Sequence, residues 1–179
     1  MLEAALITEL ACSNSDSFDR VLRKWQAQVL RTAYRILGNW ADAEDVAQEA
    51  FLRLHRHGLG FANEAALSGW LYRVTVNLCF DRTRAARHSK ELQAPELPEW
   101  LSQDAVAESG VIREQQKQRL MAALATLPVK ERAAVVLREI EGLTTAEVAK
   151  ALGSTEGTVR SQVFRAMAKL RALLGSEKL

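Results

Sequence analysis

Two arginines, a serine and a phenylalanine crowd one side of a helical stretch near the end of the chain. At 100° per residue, Val159, Val163, Ala166, Leu170 and Leu173 form an apolar stripe. Arg160, Ser161, Phe164 and Arg165 lie roughly opposite. A phenylalanine among arginines ill suits an ordinary solvated face. It suits a DNA major groove, where guanidinium groups grip guanine edges or phosphates and an aromatic edge meets a thymine methyl. The competing account packs Phe164 on another helix of the same chain. A second group, Arg73, Asn77, Arg84 and Arg87 with Trp70 at its margin, could hold phosphates and unstacked bases. A plain basic helix face would look the same. A third group, Asp45, Gln48, Glu49 and Leu52, is acidic and partly apolar, which repels phosphate and fits a protein partner.

Helices must position all three groups. Phe18, Val21, Leu22, Trp25, Val29, Ala33 and Ile36 recur at helical spacing, and Gly38 supplies a stop. Asn39 can cap a second helix, with Asp42 in its first turn, that runs to about His57 before Gly58 and Gly60. A third spans roughly Ala65 to His88, with Leu67, Leu71, Val74 and Leu78 facing a core. Residues 91–108 hold Pro95, Pro98 and scattered acids without periodicity, as expected of a linker; Trp100 within it reads as a docking anchor. A helix from about Val111 to Thr126 follows. Pro128 then opens another that reaches Ile140.

Thr144-Thr145-Ala146-Glu147 has the form of a capping box. The helix it opens is short, because Gly153 follows Leu152, and the last helix starts near Ser154 or Thr155. Two helices joined by a tight glycine turn, the second one basic, describe a helix-turn-helix. Ala149 allows close approach, Gly153 supplies a left-handed backbone, and Val159 fills the wedge. Any αα-hairpin could share part of this pattern.

Composition narrows the function classes. The 179 residues are 48% hydrophobic and 26% charged, enough for one modest core or two small ones. No apolar run approaches the ~20 residues that span a bilayer, so no membrane insertion is expected. The N-terminal stretch carries Glu3 and Glu9 and no basic region, which argues against a secretory signal and for the cytoplasm. The net charge of +2 conceals two basic blocks: five basic against two acidic residues in both 64–90 and 154–179, around an acidic 91–128. Two basic segments across a linker suit a polyanion held at two places. Cys12 and Cys79 cannot build a disulfide framework, and Cys79 sits among apolar neighbours as a core residue. His55, His57 and His88 match no helical metal pattern, and no nucleophile-elbow or phosphate-loop string occurs. An enzyme is therefore not expected, and neither a metal nor a cofactor is implied.

Three blocks carry a resemblance. Ala43-Glu44-Asp45-Val46-Ala47-Gln48-Glu49-Ala50-Phe51-Leu52-Arg53-Leu54 resembles region 2 of bacterial sigma factors. Ser68-Gly69-Trp70-Leu71-Tyr72-Arg73-Val74-Thr75-Val76-Asn77 is similar to the promoter-melting segment that follows it in the extracytoplasmic-function group. Leu127-Pro128 through Glu141-Gly142-Leu143, with Glu156-Gly157-Thr158-Val159-Arg160-Ser161, looks like region 4. The blocks stand in the family's order and cover nearly the whole chain after residue 15.

The resemblance implies an all-α protein of two small helical domains, a region 2 bundle (16–90) and a region 4 helix-turn-helix (111–179). A tail (1–15) precedes them and a flexible linker (91–110) joins them. It implies core RNA polymerase, promoter DNA and an anti-sigma factor as partners. By position, Asp45, Gln48, Glu49 and Leu52 would contact polymerase. Phe61, Asn63 and the loop to Ala66 would shape a pocket for a flipped base of the −10 element, and Trp70, Arg73, Asn77 and Arg84 would hold the non-template strand. Arg160, Ser161, Phe164 and Arg165 would read the −35 element. Gln162 stands where many relatives have Arg, and is expected either to weaken phosphate anchoring or to read an adenine. A plain helix-turn-helix regulator would instead bind duplex without polymerase, and a protein-binding adaptor would not need Arg160 and Arg165.

Overall fold

The computed structural model describes residues 15–89 and 109–175, and among them every regular element is helical. Helix α1 (Ser15–Leu37) buries Val21, Val29, Ala33 and Ile36, as its spacing requires. Gly38 ends it at φ 75°, its N–H donating to Tyr34 O at 2.7 Å. Asn39 then caps α2 (Trp40–His57), its Oδ1 accepting from Asp42 N–H at 2.9 Å. Ala43, Val46, Ala50 and Leu54 face inward from α2, three or four residues apart. Asn63 opens α3 (Glu64–Ser89) in the same way, its Oδ1 accepting from Ala66 N–H at 2.8 Å. These three helices pack pairwise into a bundle. At one end, Val21, Val29, Phe51, Leu54, Leu67 and Leu71 form a core of their own.

The second half contains α4 (Ser109–Ala125), α5 (Val129–Val135), a π-helical turn (Val136–Ile140), α6 (Thr145–Leu152) and α7 (Glu156–Leu174). The single helix expected from Pro128 to Ile140 is thus divided. After Val135 the chain widens into the π-turn, and Glu141 N–H donates to Val136 O at 3.0 Å. The reason is tertiary. Ala133 through Leu137 are five consecutive buried residues, since α7 covers one side of this helix and α1 and α3 cover others. A run of five buried residues no longer follows one apolar stripe.

The two halves are docked rather than separate. Helix α6 lies along α3, and α4 and α5 meet α1. One apolar core runs through the junction, joining Ala33, Ile36, Val76 and Cys79 to Leu137, Val148 and Ala151. Cys79 is fully buried there, and burial raises its thiol far above the ordinary cysteine range. This is the core role its neighbours implied. Leu173, expected to extend the stripe of α7, is 54% exposed; the stripe continues from Leu170 to the partly buried Leu174 instead. Helix α4 begins at Ser109, two residues before the expected start. Cys12, Trp100, the side chain of Arg87 and all but the edges of the expected tail and linker lie outside the described residues. No helix among the described residues is long and apolar enough to cross a membrane.

Candidate nucleic-acid and polymerase interfaces

The α6–α7 hairpin is assembled by short-range bonds. Thr144 Oγ1 accepts from Glu147 N–H, and Glu147 Oε2 accepts from Thr144 N–H at 2.8 Å, completing the capping box. Thr144 Oγ1 also donates to Glu147 Oε2 at 2.6 Å, and this donation, with the backbone one, holds the Glu147 carboxyl below the usual range. Gly153 adopts the left-handed conformation at φ 58°, ψ 43°, and Ser154 N–H returns to Ala149 O at 2.9 Å. Thr155 is the cap of α7, its Oγ1 accepting from Thr158 N–H at 3.2 Å. Val159 is fully buried in the wedge and Ala149 nearly so.

Phe164 projects from this scaffold 75% exposed, so the alternative in which it packs within the chain does not hold. Arg160 and Arg165 flank it on the exposed face. Arg160 pairs with Glu156 one turn back at 2.9 Å, and Ser161 Oγ donates to Gly157 O at 3.0 Å. Arg165 is anchored from α5: its Nε donates to Glu131 Oε1 at 2.9 Å, while Lys169 Nζ donates to Oε2 at 2.8 Å. These donations, the one from Lys169 foremost, hold the Glu131 carboxyl below its ordinary range. One carboxylate between two cations leaves a net positive face and fixes the root of Arg165. The sequence offered no signal for this pairing across 34 residues.

Gln162 requires a correction. It is buried on the Val159–Ala166–Leu170 side of α7, and its Oε1 has no hydrogen-bond partner among the described residues. A residue three after Val159 and four before Ala166 falls on the core stripe, so helical periodicity alone withdraws it from any face offered to DNA.

On α3, Arg73 and Asn77 are exposed one turn apart, and Arg84 is exposed near Asp81 at 3.5 Å. Trp70 joins an aromatic group that the sequence did not announce. His57 stacks on Phe61 with centroids 5.1 Å apart and an interplanar angle of 18°, and Trp70 contacts both rings at 5.1 and 5.8 Å. Phe61 belongs to the loop from Gly58 to Asn63, so these contacts tie that loop to α2 and α3. Asn63 itself is exposed, but its side-chain oxygen is committed to the cap of α3.

The face of α2 holds the third group. Asp45, Gln48 and Leu52 are exposed, Leu52 at 46%, and Glu49 is half-buried beside them. Positions spaced by three and four share one side of a helix. Glu49 accepts from Arg53 at 2.8 Å, which holds its carboxyl below the usual range. Asp45 pairs with Arg82 of α3, and Arg82 also reaches Asp42 at 2.8 Å. Arg82 was absent from every sequence-derived group, although it cross-braces this face. Among the described residues no three His, Cys, Asp or Glu side chains group as metal ligands.

Comparison with known proteins places these surfaces in a family. Residues 21–89 match the family model described as Sigma-70 region 2, and residues 117–170 match Sigma-70, region 4. The chain is 34% identical over 173 residues to the ECF RNA polymerase sigma factor SigM of Mycobacterium tuberculosis, covering 97% of this chain and 85% of that one. It is 35% identical over 162 residues to the RNA polymerase sigma-E factor of Streptomyces avermitilis, covering 90% and 87%. In fold it is similar to the sigma factor RpoE of Bartonella quintana, solved with the anti-sigma factor NepR. That match has a TM-score of 0.71 at 21% identity, over 90% of this chain and 98% of the other. With both regions matched in order and relatives above 30% identity along nearly its whole length, the chain belongs to the extracytoplasmic-function sigma factors of RNA polymerase.

Proposed function

We propose that this protein is an initiation factor, not an enzyme, that binds core RNA polymerase in the cytoplasm, reads the −35 and −10 elements of promoters and promotes their melting. The observation that carries this is Phe164, exposed between Arg160 and Arg165 on the second helix of a helix-turn-helix, in a chain that also carries region 2. Residues 16–90 act as the polymerase-binding and −10 domain, and 111–179 as the −35 domain. Residues 91–110 link them and 1–15 form a tail. Arg160, Ser161, Phe164 and Arg165 contact the −35 element. Phe61, Asn63, Trp70, Arg73, Asn77 and Arg84 serve the −10 element, and Asp45, Gln48, Glu49 and Leu52 meet polymerase. An anti-sigma factor is the proposed negative regulator.

The physics is one of mounting two weak readers on one platform. Each basic surface is small, and its grip on phosphate falls steeply with salt. Held on polymerase, each half-site meets its reader at high effective concentration. Extruding a base costs a few kcal/mol, and stacking on aromatic side chains offsets about 1–3 kcal/mol of that per base. The His57–Phe61–Trp70 group offers the stacking surfaces.

The test is run-off transcription by core polymerase, with and without the protein, on a pool of promoter fragments. Transcripts that require the protein are expected, and their start sites locate both elements. Tight binding to duplex alone with no stimulation would replace this function with that of an ordinary repressor or activator.

A further inference from the structure

The docking of the two halves has a polar centre. Glu141 follows the π-turn, and its side chain is only 5% exposed. Its Oε1 accepts from Arg35 Nη1 at 2.7 Å and from Thr32 Oγ1 at 2.9 Å. Its Oε2 accepts from Gln28 Nε2 at 3.2 Å and from Tyr72 OH at 3.3 Å. All four donors belong to the other half. Gln28, Thr32 and Arg35 share one face of α1 at spacings of four and three, and Tyr72 reaches in from α3. Burial, reinforced by the Glu141 charge, raises the Tyr72 hydroxyl far above the ordinary range, so it stays a donor.

A second tie lies alongside. Arg132 of α5 donates from Nη1 to Ile36 O at 2.7 Å, one of the carbonyls left without an intrahelical partner at the end of α1. The π-turn sets this geometry, since one extra residue in the turn rotates everything after it by about 100°.

Docked this way, the protein cannot span a promoter. The −10 and −35 positions differ by about 25 base pairs, or about 85 Å at ~34 Å per ten base pairs. Helices in contact lie about 8–10 Å apart, and even α3, with 26 residues, is about 39 Å long. Yet α6 of the helix-turn-helix rests directly on α3.

We propose that the docked arrangement is a resting form, latched by Glu141 in the cradle of Gln28, Thr32, Arg35 and Tyr72, and that the factor works only once Glu141 has left. This rests on the sigma-factor function above. Buried hydrogen bonds to a charged group are strong enough that losing them should lower the closed-to-open ratio roughly ten- to a hundredfold.

The test uses the full chain in solution scattering and in a core-polymerase binding assay. The wild type is expected near the radius of gyration of a folded chain of this length, about 16 Å. Glu141→Gln, and independently Arg35→Ala on the opposite half, should raise that radius by several ångströms. Both should tighten apparent polymerase affinity about tenfold or more, because the open fraction multiplies affinity. The double exchange Arg35→Glu with Glu141→Arg should recover part of the compaction. Variants that keep wild-type helicity but show unchanged radius and affinity would overturn the latch, as would a wild type already extended. Arg35→Ala keeps the test decisive if Glu141→Gln fails to fold. Variants that open by scattering yet never stimulate transcription would sink the sigma function and leave the latch standing.

Discussion

The α6–α7 hairpin and the α1–α3 bundle offer nucleic acid the same kinds of side chain, arginine beside an aromatic ring, but hold them differently. In the hairpin Phe164 stands out alone while Arg165 is braced by Glu131 and Arg160 by Glu156. In the bundle the aromatics pack on one another, His57 on Phe61 and Trp70 against both, with Arg73 and Asn77 exposed nearby. A duplex presents a fixed groove, so its reader gains from side chains held in one geometry. A strand being opened presents loose bases, so its reader gains from flat surfaces to stack on. Under the proposed function, the contrast would match one rigid surface to duplex and one stacking surface to single strand.

The severest way to break the contrast is to unseat the hairpin. Val159→Asp would bury an unpaired charge in the wedge and should cost about 3–5 kcal/mol. Thermal unfolding should show the loss, together with the end of −35-dependent transcription. Trp70→Ala should remove about 1–3 kcal/mol of stacking, slowing bubble formation in permanganate footprints and leaving −35 occupancy intact. A premelted template should rescue it. If premelting rescues Phe164→Ala equally well, the two surfaces do not divide duplex from single strand.

Arg165→Ala should weaken −35-dependent transcription by about 1–3 kcal/mol and spare polymerase binding; equal loss of both would refute its assignment. The brace behind it responds to acid. Because the folded Glu131 carboxyl lies below the ordinary range, its stabilisation is complete at and above neutral pH and is lost as pH falls through the folded value. Glu131→Gln should flatten that part of the stability profile in acid titration. Smallest of all, Gln162→Leu should leave −35 preference unchanged and be neutral or stabilising by about 1 kcal/mol, because it removes an orphaned oxygen. A shift in base preference would return Gln162 to the DNA face.

The turn chemistry was legible because it acts over three or four residues. Asn39, Thr144, Gly153 and Thr155 sit where their types predicted. The groups on α2 and α3 were legible as helix faces, with Asp45, Gln48, Glu49 and Leu52 together on one side. Gln162 falls on the core stripe of the wheel, and only the family position, where many relatives carry Arg, pointed it toward DNA. His57 carried no signal, because its stacking on Phe61 depends on how the loop after Gly58 folds back.

What the sequence determined by itself is thus the set of helices, their caps and the faces they carry, since each follows from neighbours within about one turn. The docking of one half on the other belongs to the tertiary structure alone. Glu141 reads along the chain as one more acid in a charged stretch, and its four donors lie 69 to 113 residues before it. Only the packing of α5 against α1, α3 and α7, followed by the π-turn, aims its carboxylate into the cradle. Contacts so distant leave no period or spacing in a chain, because they depend on where folding carries each segment and not on what stands beside it.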